Sequence, residues 1–433
     1  MSSRVGFFIL SWFVVISMQA QMGHNFLQFD DVSGMYQLSP KIDTSSKLTI
    51  STTAGVSYLS NSINLGDIST KENGIRLIDF GLGHESLKAN NYFNYQNDLN
   101  FLHLDYKLSN SSILRFGLNY KSRVQADYTR ELFQLLGDGN EQFVGETIPI
   151  GAKAHLVAMH QIYLGLQKRV SNFDFTVQLK FISGLNHFRT TNSDISLSTS
   201  DDIYQVALAS EFNVVTSKAL KYNDVDDLSF EFNSIDFSNP FKNNFGYAID
   251  LGVKYHFNKN SFIFINAYDL GSVKWSNLTR TYASNVNTDY EGLDVAEYFE
   301  TEDEVLLIDS LRSLLQIEET LEDYSSSLSR TIAAGVQYGI NDHWTGTLNV
   351  SLLDIAGSNT MYFTLGSQRQ LTEQLILGAT YSYFGGSHSA GLNIGYRPIP
   401  YLSLRFSTDS FRSLLSTVDS SVTTYYLGAS YRL

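Results

Sequence analysis

Phe245–Phe257 reads FGYAIDLGVKYHF. Every second residue (Phe245, Tyr247, Ile249, Leu251, Val253, Tyr255, Phe257) is aromatic or aliphatic. Between them stand Gly246, Ala248, Asp250, Gly252, Lys254 and His256. Alternate side chains of a strand point to opposite faces. One face is therefore wholly apolar and the other small or charged. Strands in soluble domains usually run to about 5–6 residues, whereas a tilted strand crossing a bilayer needs about 9–11. The pattern predicts a membrane-crossing strand with lipid on one side and a polar lumen on the other. The competing reading is a sandwich strand of a soluble β protein.

A tight turn at Lys259-Asn260 and a second strand, Phe262–Trp275, follow. If 258 pairs with 261, Asp250 faces Asp269 across the hairpin on the lumen side. Like charges directly opposite repel unless a cation intervenes. Lys254 on the same face, or a Lys or Arg from another strand, is expected to supply it. The favoured reading of Asp250, Lys254 and Asp269 is a network that braces the wall. The sharper one is a polar contact for a permeating solute. A slip of one residue would put the two carboxylates on different faces.

The same alternation recurs along the chain. It marks Lys47–Leu59, the hairpin Asp98–Lys107 with Ser112–Val124, Gly151–Gln167, Phe173–Ile182 and Ile203–Val214. It returns at Arg330–Ile340, Trp344–Leu353, Thr360–Gly366, Gln374–Phe384, His388–Tyr396, Leu402–Phe406 and Val422–Leu433. Asn186–Thr199 is polar and is expected to pair above the membrane. Thr129–Leu136 has helical spacing and stops at Gly137-Asp138-Gly139-Asn140. Short turns at Lys259-Asn260, Asn341-Asp342 and Arg397–Pro400 fall on one side, the periplasmic one. Loops 127–150, 215–244, 276–328 and 408–421 fall on the other. The fold class predicted is all-β: a transmembrane antiparallel up-and-down barrel of about 14 strands (12–16), an even number as single-chain bacterial barrels require.

Composition agrees. Aromatics make up 13% and charged residues 17% of the 433 residues, against about 25% charged in typical soluble domains. Mean hydropathy is −0.12, so apolar residues are dispersed rather than gathered into helical spans. The absence of Cys excludes a disulfide framework and thiolate metal sites. At the N-terminus, Arg4 precedes an apolar run, Val5–Met18, and Gln19-Ala20 offers a small residue. Residues 1–20 read as a signal peptide cut after Ala20. Residues 21–46 read as a plug or periplasmic segment in which Met35, Tyr36, Leu38 and Pro40 pack. Residues 47–433 read as the barrel.

The net charge of −14 is concentrated. Asp289–Asp323 holds thirteen Asp or Glu and one basic residue, Arg312. Val305, Ile308, Leu311 and Leu315 recur at helical intervals, so residues 289–325 read as an acidic helical insert on an extracellular loop. It either folds over the barrel mouth or, through residues 293–323, docks a protein partner. No basic patch suggests nucleic acid; the expected surroundings are outer-membrane lipid.

Several stretches carry a resemblance: FLQFDDV with LSP near the start, LLGDGN ahead of TIPI, LKFISGLNHF, and above all FGYAIDLGVKYHF followed by AYDLGSVKW. Together they resemble a family of outer-membrane barrels of Bacteroidota defined as a domain of unknown function. That family is in turn distantly similar to long-chain fatty-acid transporter-type barrels and to barrels attached to type IX secretion. The resemblance implies a bacterial outer-membrane barrel and brings no substrate and no catalytic residues. The alternating C-terminal strand also resembles the assembly signal of outer-membrane barrels, with Leu433 in place of the usual Phe or Trp.

Chemistry beyond this is sparse. The nine His form no HExxH frame, and His155 and His160 fall on opposite faces of one strand. No glycine-rich phosphate loop is present, and no spacing singles out a Ser–His pair. No catalytic, cofactor-binding or metal-ligating set is expected. The expected function is a non-enzymatic barrel that passes or binds small molecules, hydrophobic ones included. The alternatives are an accessory barrel of a surface or secretion complex and, third, a surface hydrolase.

Overall fold

The computed structural model describes residues 38, 46–64, 66–72, 75–78, 86–201, 206–222, 228–230, 244–290, 316–355, 358–384, 386–416 and 420–433. The protein is a closed antiparallel barrel of 14 strands. The first strands are β1 (Leu48–Ser60), β2 (Asn90–Ser109), β3 (Ser112–Thr129), β4 (Lys153–Val170) and β5 (Phe173–Thr199). Then come β6 (Val206–Ser217), β7 (Phe245–His256), β8 (Phe262–Trp275), β9 (Thr279–Tyr290), β10 (Glu318–Thr320), β11 (Tyr324–Ser327) and β12 (Arg330–Gly339). The chain ends with β13 (Trp344–Ile355), β14 (Ser358–Gln370), β15 (Leu375–Phe384), β16 (Ser387–Ile399), β17 (Leu402–Thr408) and β18 (Val422–Arg432). β18 pairs with β1 and closes the ring. There the Lys47 and Leu48 amides both donate to the Leu433 carbonyl, at 2.8 and 3.1 Å.

Two long strands are each built from two pieces. β5 has 27 residues. Its lower half pairs with β7 and its upper half with β6. β8 likewise continues upward as β9, which pairs with β6. Since about 9–11 residues cross a tilted bilayer, more than half of β5 lies outside it. The outward row Phe173, Phe175, Val177, Leu179 and Phe181 is exposed and apolar; above it Ser183 and Asn186 are buried. The sheet β5–β6–β9–β10 therefore stands above the membrane. β13–β18 are 7–13 residues long. Only residues 356–357 and 385–386 separate the extracellular ends of β13/β14 and β15/β16. The barrel has a tall half (β2–β5, β7, β8) and a low half (β12–β18, β1).

Outward residues of both halves are apolar or aromatic. Tyr338, Trp344, Tyr396, Tyr401 and Tyr431 are exposed near the short-turn end, and Tyr247, Tyr381 and Tyr383 near the other. Such aromatic girdles mark the two interfaces of outer-membrane barrels. Among the described residues no helix is long and apolar enough to cross a membrane. The protein resides in the bacterial outer membrane.

The helix foreseen after Thr129 is present as α1 (Arg130–Asp138). The Thr129 hydroxyl accepts from the Leu132 amide, and Gly139 ends the helix at φ 79°, a backbone that glycine adopts without strain. Two expectations need correction. Residues 318–320 and 324–325, placed in the helical insert, belong to the strands β10 and β11, because these pair with β9 and β8. Residues 291–315 of the acidic insert lie outside the described residues, as does the segment expected to be a signal peptide (1–20). β9, placed wholly in a loop, is a strand paired along its length with β6.

Candidate functional site

The lumen begins at the hairpin quoted first. β7 alternates as expected: Gly246, Ala248, Asp250, Gly252 and Lys254 are buried, and Phe245, Tyr247, Leu251 and Val253 exposed. The turn is one residue out of the predicted register. His256 pairs with Phe262, and the Phe257 and Asn258 amides both donate to the Ser261 carbonyl. A bulge then restores register. Ile249 faces Leu270 while Leu251 faces Ala267, so Tyr268 and Asp269 together oppose Asp250. Asp269 has φ 56°, and the flanking parity flips. Below the bulge Phe262, Phe264, Asn266 and Tyr268 face inward; above it Asp269, Val273 and Trp275 do. An extra residue in one strand has this effect. Asp250 thus meets Asp269 by a bulge rather than by the two-residue loop assumed.

The Asp269 amide donates to Asp250 Oδ1 at 2.8 Å. The cation between the two carboxylates is Lys180 of β5, with Nζ 2.7 Å from Asp250 Oδ2 and 2.6 Å from Asp269 Oδ1. Gln178 Nε2 donates to Asp250 Oδ2 at 3.0 Å. From across the lumen, Lys121 of β3 reaches Asp269 Oδ2 at 2.9 Å and approaches Asp98 of β2 at 3.9 Å. β3 and β8 are separated in the sheet by β4, β5 and β7, so Lys121 is a strut across the interior. Charge-assisted hydrogen bonds of this kind are the short, strong ones. Between this layer and the apolar one above lies a cavity of about 30 Å³ bordered by Gln96, Lys121, Arg123, Met159, Gln161 and Asp269. That is room for about one or two waters.

Lys254 is in the lumen but serves otherwise: its Nζ sits 4.4 Å from the Phe262 ring centre. Of the three residues foreseen, the structure brings Asp250 and Asp269 together and sets Lys254 apart. Sequence reasoning missed Lys180, Lys121 and Gln178. Their inward parity was legible; which strands close around them was not.

Below the charged layer, Arg115 Nε bonds Asp105 at 3.0 Å and its Nη1 donates to the Leu38 carbonyl at 2.8 Å. Leu38 packs with Phe262, Phe264, Tyr268 and Ala333. Gly252 makes room: a Cβ there would lie 2.9 Å from Leu38 Cδ2. Above, Val157, Met159, Ile182, Ala248, Val273, Trp275 and Leu328 form an apolar layer, capped by His187, which stacks on Trp275 at 4.7 Å. The tall half is filled with packed side chains.

The low half is lined differently. Its inner face carries Thr347, Asn349, Ser351, Thr364, Gln368, Thr380, Ser382, Asn393, Ser403, Ser407 and Ser430, all buried. Within its strands Arg405 alone of the buried side chains is charged, whereas the tall half buries Asp98, Arg115, Asp174, Lys180, Asp250, Lys254 and Asp269. Thr347 Oγ1, Thr380 Oγ1, Asn393 Oδ1 and Nδ2, Ser407 Oγ and Ser430 Oγ have no protein hydrogen-bond partner. Buried polar groups are normally paired with protein or ordered water, so this wall is built to be wetted or to hold polar ligands. Toward the extracellular end Leu59, Leu353, Tyr362, Phe384 and Val422 meet, with Tyr92, in one apolar cluster that roofs the lining.

The chain belongs to the family of unknown function DUF5723, whose profile matches residues 42–402. No curated protein matches it. Among solved structures it is similar to a Pseudomonas aeruginosa FadL homologue (10% identity, 89% of this chain and 90% of that one, TM-score 0.43). It is similar also to the Ralstonia pickettii toluene transporter TbuX (8% identity, 90% of each chain, TM-score 0.41). A third is the TodX deltaS2S3 mutant monoaromatic hydrocarbon channel (11% identity, 96% of this chain and 99% of that one, TM-score 0.44). The likeness is distant and of barrel to barrel.

Proposed function

We propose that the protein is a gated, non-enzymatic barrel that passes or binds small molecules along the low half of its lumen. One observation carries this reading: the inner face of β12–β18 presents hydroxyl and amide groups left without protein partners. A purely structural interior would lose about 1–3 kcal/mol for each such group kept dry. The chemistry of that face favours small uncharged polar molecules; the hydrophobic solutes first expected would leave the same groups unpaired. The roof of Leu59, Leu353, Tyr362, Phe384 and Val422 is the extracellular gate in this reading, and the Leu38 cluster the periplasmic one. The test is conductance in planar bilayers together with swelling of liposomes in uncharged sugars. Wild-type protein is expected to show rare, brief openings, and Phe384→Ala a several-fold higher open probability. Silence of both proteins in both assays would count decisively against passage.

A second reading has its own support. The β5–β6–β9–β10 sheet rises above the membrane and adjoins the acidic insert, which suits an accessory barrel docking a partner through residues 293–323. That reading expects deletion of 291–315 to abolish co-purification of a surface partner and to leave conductance unchanged.

A further inference from the structure

Asp409 follows β17 at the extracellular end and is 1% exposed. Its backbone is tied down: its amide donates to Thr424 Oγ1 and its carbonyl accepts from Ser389 Oγ. Its carboxylate is not, since neither Oδ1 nor Oδ2 has a hydrogen-bond partner and, among the described residues, no Lys, Arg or His forms an ion pair with it. The buried cation on its own strand, Arg405, lies instead over the Tyr426 ring at 5.5 Å. An isolated buried carboxylate is too costly to persist uncompensated. Burial pushes it up to about 7. A proton alone leaves the new O–H without an acceptor.

Oxygen atoms stand close to its backbone. Gly391 of β16 has no side chain, and a Cβ there would lie 2.3 Å from Thr380 Oγ1, 2.4 Å from the Thr408 carbonyl and 2.8 Å from Asp409 Cα. These groups therefore converge on one niche. Thr380 Oγ1 is buried and, like the carboxylate, without a partner. Nitrogen and sulfur donors are absent from this set. Oxygen-only donors select hard cations. One carboxylate among neutral oxygens balances a single positive charge; a divalent ion would leave one charge uncompensated in a buried place.

We propose that Asp409, with Thr380 and the Thr408 carbonyl, forms a binding site for a monovalent alkali cation that ties β15, β16, β17 and β18 together at the extracellular rim. It is independent of whether solutes pass, because its readout is stability. The experiment uses the full chain in detergent at pH 8, where the carboxylate is ionised. Thermal unfolding is followed in sodium chloride, in N-methyl-D-glucamine chloride at equal ionic strength, and in calcium chloride. Sodium is expected to raise Tm by several degrees over N-methyl-D-glucamine. The gain should vanish in Asp409→Asn and shrink in Thr380→Val, both near-isosteric and expected to fold. Line broadening of ²³Na resonances by wild type but not by Asp409→Asn gives a second readout. Equal Tm in all salts without line broadening, a response to calcium alone, or a sodium response retained in Asp409→Asn would each overturn the proposal.

Discussion

The two halves of this barrel solve one problem in opposite ways. Both must fill or wet a lumen behind a lipid-facing wall. The tall half buries seven charged side chains and knits three of its carboxylates, Asp250, Asp269 and Asp98, to Lys180 and Lys121 across the lumen. The low half buries one in its strands, Arg405, with Asp409 at its extracellular rim, and lines itself with hydroxyls and amides. Height follows the same division: the braced strands rise far above the membrane, and the unbraced ones turn back within a few residues. A wall extended into solvent must be held by something other than lipid, and the struts lie beneath that extension. The low half, with little above it, is free to keep a soft polar lining.

The largest effect that tests this contrast is expected at Lys180. Lys180→Met leaves Asp250 and Asp269 facing each other without their shared cation. Breaking a buried pair costs roughly 3–5 kcal/mol, to be read from urea refolding equilibria in lipid or detergent. A loss below about 1 kcal/mol would mean that the network is ornamental and the contrast empty. Next is Phe384→Ala in the roof of the low half. Phe-to-Ala truncation costs about 3–5 kcal/mol in a close-packed core, but this roof covers a wettable chamber, so the loss should fall at or below the bottom of that range while open probability rises. A full core-like penalty with no change in conductance would show the low half to be as solidly packed as the tall one. The smallest effect belongs to Arg330→Gln at the rim. Its Nε bonds Asp354 at 2.8 Å, but its side chain is 60% exposed, so the loss should stay under about 1 kcal/mol and fade in high salt. A salt-insensitive loss as large as that of Lys180→Met would erase the distinction between buried strut and surface pair.

The sequence made the membrane strands legible because lipid enforces alternation. β7 was read correctly residue by residue, and so was the barrel as a whole. β9 was not read, because TRTYASNVNTDY has no lipid on either face and so carries no apolar stripe. The bulge in β8 did leave a trace. Ile263, Ile265 and Ala267 are followed by Leu270 rather than by an apolar residue at 269, and that three-residue step is the flip of parity. The flanking Leu179 and Phe181 put Lys180 on the inner face, yet they do not name its partners. β5 meets β7, not the strand that follows it in the chain, and Lys121 acts from the far side of the lumen. The hydroxyl lining was visible as polar alternation; its lack of partners exists only once the wall has closed.

Asp269 matters in two separable ways. Its carboxylate holds Lys180 and Lys121, and its place in the count gives β8 a second inward residue beside Tyr268 where β7 offers Asp250 alone. Replacing the side chain disturbs one layer of charge. Deleting the residue would take away the bulge and leave Tyr268 opposite Asp250 and Leu270 opposite Ile249, so Val273 and Trp275 would keep facing the lumen. A strand that kept every residue but lost the bulge would instead slip by one and turn Leu270–Trp275 over. The bulge thus stores one extra residue in the charged layer without turning the wall above it.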